Sequence, residues 1–157
     1  MKTGAAEGLL HPVALAAVGV LVLNDHWAKA QWPGVVTGKL SDVAGLVFFP
    51  LFLQAGVELV AAWRGRPWSP SRAVLVGAAV ATALVFALVK TWAPATELYR
   101  VGLGLLRWPL DALIAIARAA PLPSTSRVML VADATDLLAL PAVALPVSLG
   151  WRRSSAH

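Results

Sequence analysis

Two passages of this chain hold most of the side chains that could do chemistry. The first runs Asn24-Asp25-His26-Trp27-Ala28-Lys29 and continues to Lys39-Leu40-Ser41-Asp42. The second runs Lys90-Thr91-Trp92 and continues to Asp133-Ala134-Thr135-Asp136. One imidazole among several carboxylates suits a hard or borderline divalent cation such as Mg, Mn or Zn, which makes Asp25, His26, Asp42 and Asp136 the candidate metal ligands. The same groups could do acid-base work, with Asp133 or Asp136 as base and His26 as acid. Lys39 or Lys90 would then hold a phosphate or carboxylate, and Asn24, Lys29 and Asp42 would complete the substrate-binding or ion-pairing set. The four carboxylates Asp25, Asp42, Asp133 and Asp136 face three lysines, Lys29, Lys39 and Lys90, so the group is close to neutral without any metal. That balance favours an ion-pair network that ties helices together.

The elements that must position these groups are apolar. Of 157 residues, 59% are hydrophobic and only 13% charged, far from the soluble average. The surplus falls in blocks near the roughly 20 residues that span a bilayer core of about 30 Å. The expected fold is therefore an all-α integral membrane protein, a single domain built as a bundle of four transmembrane helices over residues 8–27, 42–63, 73–93 and 128–150. Length decides the depth of the acids. A helix over 137–150 would reach about 21 Å, too short for the core, whereas 128–150 gives about 34 Å. Asp133 and Asp136 are thus expected inside the fourth helix, Asn24 to His26 in the last turn of the first, and Lys90 at the end of the third. Ser41-Asp42 reads as the N-cap of the second helix. A secretory signal peptide is a poor reading of the N-terminus, because Asp25, His26 and Trp27 would fall in its cleavage region.

The pairs Ser41-Asp42 and Thr135-Asp136 each lead into an apolar run, which suggests two two-helix pseudo-repeats with a site at their interface. Between the third and fourth spans, Arg100, Arg107, Asp111 and Arg118 are spaced to share one narrow stripe of a helix. An interfacial amphipathic helix over 98–120, which Pro109 could split, is expected there, with a fifth crossing as its rival. All seven tryptophans sit near span ends: Trp27, Trp32, Trp92 and Trp108 on one side, and Trp63, Trp68 and Trp151 on the other. This aromatic belt, with the short loop Arg64-Gly65-Arg66 to Arg72 and the pair Arg152-Arg153, implies an even number of crossings with both termini cytoplasmic. His11 belongs to the opposite face from His26, and His157 is terminal.

Several function classes are excluded. With no cysteine there is no disulfide framework, thiol nucleophile or iron-sulfur site. The run from Gly34 to Ser41 has too few residues between its glycines for a P-loop, and Leu40 follows Lys39 where a hydroxyl residue must stand. The patterns of serine hydrolases, zinc helices and nucleic-acid modules are absent, so the basic pI near 10.5 speaks for lipid headgroups or orientation and against nucleic acid as a partner. The acid and histidine ending the first span, Glu97-Leu98-Tyr99-Arg100 after the third and the acid before the fourth are faintly similar to the layout of VanZ-like membrane proteins. The order of Asp25, His26 and Lys29 departs from that pattern and its late asparagine and glycines are missing, so no family is assigned on it.

Three readings of function follow. The first is an accessory or assembly subunit whose cluster is architecture. The second is a membrane-embedded enzyme acting on a lipid or lipid-linked substrate, with a divalent metal or acid-base groups. The third is a proton- or cation-coupled carrier. Membrane lipids, a second copy and a partner membrane subunit are the expected partners, the small residues Ala79, Ala83 and Ala87 offering a packing seam. High Ala, Val, Leu and Arg content fits a GC-rich bacterial gene, hence a bacterial inner membrane.

Overall fold

The computed structural model describes residues 6–66 and 71–154, with 150–154 described by backbone alone. The expectations for Trp68, His157 and the side chains of Trp151, Arg152 and Arg153 lie outside the described residues. Among those described the chain is all-helical. A 3-10 turn, Glu7–Leu10, precedes α1, Pro12–Gln31, whose segment Asn24–Ala28 is a π-helical turn. Then come α2, Val35–Trp63, α3, Arg72–Thr91, and α4, Ala93–Ala117. After a non-helical stretch the chain forms a 3-10 segment, Ala134–Val143, that leads into α5, Ala144–Ser154. Three helices, α1, α2 and α3, are long and apolar enough to cross a membrane.

The chain divides into two compact units, Met1–Val85 with Asp136–His157, and Phe86–Thr135. In the first unit Ala14 of α1, Leu51 of α2 and Leu75 of α3 form a buried cluster, with Leu9 of the 3-10 turn packed on it. Small side chains at Ala14 and Ala17 let α1 approach α2 closely, which is how helices pack where hydrophobic exclusion from water is not the driving force. Many large apolar side chains of α2 and α3 remain exposed, among them Phe49, Phe52, Val80 and Leu84. Such a surface is a liability in water and the normal one in lipid.

The second unit contains a corner and a hairpin. Thr96 is buried and its hydroxyl donates to the Val89 carbonyl at 2.7 Å and to the Trp92 carbonyl at 3.2 Å, fixing the turn from α3 into α4. Beyond α4 the chain turns back in extended form along the helix. The Trp108 indole N–H donates to the Pro123 carbonyl at 2.8 Å, and the Val128 N–H donates to the Arg100 carbonyl at 3.1 Å. Arg127 meets Glu97 at 3.1 Å, and Glu97 also holds Arg100 at 2.7 Å. A Cβ at Gly104 would collide with the Ser126 backbone, so the close approach needs glycine there.

Four expectations are corrected. The second helix begins at Val35, not at residue 42, so Ser41 and Asp42 are interior and cap nothing. The fourth helix does not begin at 128: residues 128–133 are non-helical, because Val128 is held in the hairpin, and Asp133 precedes the helix instead of lying within it. Its carboxylate accepts the Thr135 N–H at 2.8 Å, the cap expected elsewhere. Thr135-Asp136 opens a 3-10 segment while Ser41-Asp42 lies mid-helix, so the supposed repeat has no common local structure. The connector helix starts at Ala93 and runs unbroken through Pro109.

Replacing Gly104 with Val should displace the returning segment. The overpacking cost of about 1–3 kcal/mol is up to about a hundredfold in the population of the open form, and tryptic cleavage after Arg127 should accelerate accordingly. An unchanged cleavage rate would show that the close approach at Ser126 is not needed.

Candidate functional site

The polar site of the first unit starts from a register shift in α1. A π-helical turn fits an extra residue into one turn of helix and re-aims the side chains that follow, and such turns are frequent at functional sites. Here it begins at Asn24, which is 2% exposed. The Asn24 amide nitrogen donates to the Thr37 carbonyl at 2.6 Å and to the Ser41 hydroxyl at 2.7 Å, both on α2. Both acceptors need a donor opposite them, which fixes the orientation of the amide. Ser41 in turn donates to Asp25 at 2.8 Å, and Asp25 accepts from Lys29 at 2.6 Å. The result is one connected relay from Thr37 to Lys29 across the α1–α2 seam.

The two extra turns at the start of α2 supply the rest. The Thr37 hydroxyl donates to the carbonyls of Trp32 at 3.1 Å and Gly34 at 3.0 Å, closing the loop between the helices. Lys39 projects to Asp136 in the first turn of the terminal 3-10 segment, Nζ to Oδ1 at 3.0 Å, with side-chain exposures of 30% and 12%. That pair is more desolvated than Asp25–Lys29, whose side chains are 46% and 42% exposed. Pairs as exposed as the second contribute roughly 0.3–0.5 kcal/mol at i,i+4 spacing, whereas breaking a buried pair leaves a charge stranded. Asp42 is half-buried and engaged as well.

Other expected site residues do different things. His26 is exposed, and its Nδ1 lies 3.0 Å from the Val22 carbonyl of its own helix. Asp133 caps Thr135, and Lys90, 7% exposed, lies 5.4 Å above the Phe86 ring in cation-π range. Among the described residues no group of three or more His, Cys, Asp or Glu converges to hold a metal ion.

Three features went unseen in the sequence. Thr37 is one, and its position four residues before Ser41 on one helix face was the available signal. Glu58 is another: it is 5% exposed on α2 and accepts the Ala6 N–H at 2.7 Å, pinning the N-terminal 3-10 turn. A lone carboxylate inside a candidate span was the signal for it. The third is an apolar groove of about 220 Å³ along the same seam, lined by residues including Val13, Ala17, Val20, Leu40, Ala44 and Leu145. It ends one helical turn from Asn24, whose side-chain amide oxygen Oδ1 is buried without a donor among the described residues.

Asn24→Ala removes two hydrogen bonds and should lower stability by about 1–3 kcal/mol. Thermal unfolding in detergent measures it, and a melting temperature equal to wild type would remove the Asn24 relay as a tie between α1 and α2. Comparison of the chain with protein-family models, with curated proteins and with solved structures finds no match in any of the three.

Proposed function

We propose that this protein is a multi-pass membrane protein of four crossings, in which the Asn24–Ser41–Asp25 relay and the Lys39–Asp136 pair are a lock between helices. On this reading it serves as an accessory or assembly subunit for a partner membrane protein. The observation that carries it is how three donors of the cluster are used. Asn24 links α1 to α2, Ser41 links α2 back to α1, and Lys39 links α2 to the terminal segment.

The fourth crossing rests on rise per residue. The apolar stretch Ala134–Leu149 is short for an α-helix crossing. Its first ten residues are 3-10, and at about 2.0 Å per residue in that part and 1.5 Å in the rest it reaches about 29 Å. With the short basic loop from Arg64 to Arg72 on the inner side, both termini are cytoplasmic, in a bacterial inner membrane. Reporter fusions at the two ends should therefore report the same side. Opposite sides would leave three crossings and remove this part of the proposal.

The lock itself is tested by a cycle at Lys39 and Asp136. Lys39→Met or Asp136→Leu alone removes one partner of a partly desolvated pair and should cost about 1–3 kcal/mol, while the double substitution should recover most of it. Additive losses would refute the lock. A second reading, an enzyme acting on a lipid-linked substrate, is favoured by the groove that ends beside the unsatisfied Asn24 oxygen. Elemental analysis of purified protein separates the two. Stoichiometric divalent metal that Asp136→Asn abolishes at an unchanged melting temperature would replace the lock by the enzyme.

A further inference from the structure

The second unit presents a helix that is finished on one side only. Along α4 and its C-cap residue, Arg100, Arg107, Asp111 and Arg118 run in one stripe parallel to the axis. The extended return segment lies along the neighbouring surface, through Trp108 to Pro123, Gly104 to Ser126, Arg100 to Val128 and Glu97 to Arg127. Opposite the charged stripe, Leu98, Leu105, Leu106, Leu113 and Ile116 fall within about 100° of helix surface. All five are exposed, from 55% at Leu105 to 77% at Leu106. The polar side is clasped by the protein's own chain, and the apolar side is bare along the length of the helix.

We propose that α4 and its return segment form an in-plane membrane-surface module, with the leucine stripe set into the acyl boundary and the arginine edge holding anionic phospholipid headgroups. The proposal rests on the reading of this chain as a membrane protein. Three observations select this orientation and this occupant. The charges extend from Arg100 to Arg118, about 27 Å along the axis, so a crossing would carry Arg107 and Asp111 to mid-bilayer. Only a helix parallel to the surface keeps all four charges in water while the leucines reach lipid. Residues 120–127 of the return segment are non-helical and mostly exposed. An irregular backbone is not tolerated facing hydrocarbon, so the clasp side is the aqueous side. Between residues 93 and 128 there are four arginines and two acids. Arg107 and Arg127 have side chains 67% and 70% exposed, so the edge is basic and open to headgroup phosphates.

The chain contains no cysteine, so single-cysteine variants of the full-length protein give unambiguous labelling. Spin labels at Leu98, Leu106 and Leu113, at Arg107 and Arg118, and at Leu84 of α3 would be read in lipid nanodiscs by collision with oxygen and with a water-soluble nickel chelate. The module requires the three leucine positions to favour oxygen at one common shallow depth, and the two arginine positions to favour nickel. A depth that passes through the bilayer centre along α4, or leucine labels shielded from both reagents as a second copy would shield them, overturns it. Leu84 separates the two levels of the argument: a label there that is deep in lipid leaves the membrane reading standing when the module fails, and one in water removes both.

The headgroup part is read with spin-labelled phosphatidylglycerol and phosphatidylcholine in the same nanodiscs. Wild type should prefer phosphatidylglycerol, and Arg107→Gln with Arg118→Gln should reduce that preference by about fivefold for each arginine removed. Equal association of the two lipids with wild type overturns the anionic assignment.

Discussion

The constraint on which the rest of the molecule depends is that a polar group taken out of water must find its partner inside the protein. The Asn24 amide is where this is sharpest. At 2% exposure, following the apolar run Pro12–Leu23, it has α2 as the partner for its donors, and it takes both a backbone carbonyl and a hydroxyl there. An unmade hydrogen bond at such a site costs about 1–3 kcal/mol. Sliding α1 along α2 by one turn would therefore break two bonds at once and separate Ser41 from Asp25. The apolar contacts at Ala14, Leu51 and Leu75 hold the helices together. They are tolerant of register, and the amide is not.

Helix length follows from the same constraint. At 29 residues α2 is about 43 Å long, well beyond a hydrocarbon core of about 30 Å. The surplus is at the end that carries Thr37, Lys39 and Ser41, the residues that bond α1 and the terminal segment. At the opposite end Glu58 does the equivalent service for the N-terminal turn by accepting the Ala6 N–H. Each end of α2 thus has a polar clamp, and the stretch between them buries Ala44, Leu46, Val47, Leu51 and Ala55.

How much of this was legible in the sequence depends on which physical signal each residue leaves. Residues 73–93 read as a span because hydropathy over twenty residues reports burial in lipid directly, and α3 matches to within two residues at either end. The start of α2 was not legible. Gly34 and Gly38 are turn signals and Ser41-Asp42 is a capping pattern, so local propensity pointed to 42, while bonds from Asn24 stabilise a helix beginning at Val35. Tertiary contacts overrode propensity there. Residues 128–133 failed for another reason: an apolar run does not say whether it is helical or extended, and the Val128 N–H is spent on Arg100, which lies 28 positions earlier. Asp136 was legible as a residue in need of a cation, and its partner Lys39 lies 97 positions away. The chemistry of the site could be named from residue types, but its wiring required the fold.

The Lys39–Asp136 pair raises the question of what a partly buried ion pair is for. Desolvating the two ions costs several kcal/mol each, and their attraction rarely exceeds that by much, so an apolar pair of similar volume would hold α2 and the terminal segment about as well. What an apolar pair would not do is choose. The terminal segment is rich in leucine and alanine, offers α2 many near-equivalent apolar registers, and contains Pro141, which removes one backbone N–H from its 3-10 segment. A wrong register separates Asp136 from Lys39 and forfeits the pairing of two partly desolvated charges, while the correct register keeps it. The pair therefore contributes little to the depth of the native minimum and much to its separation from the alternatives.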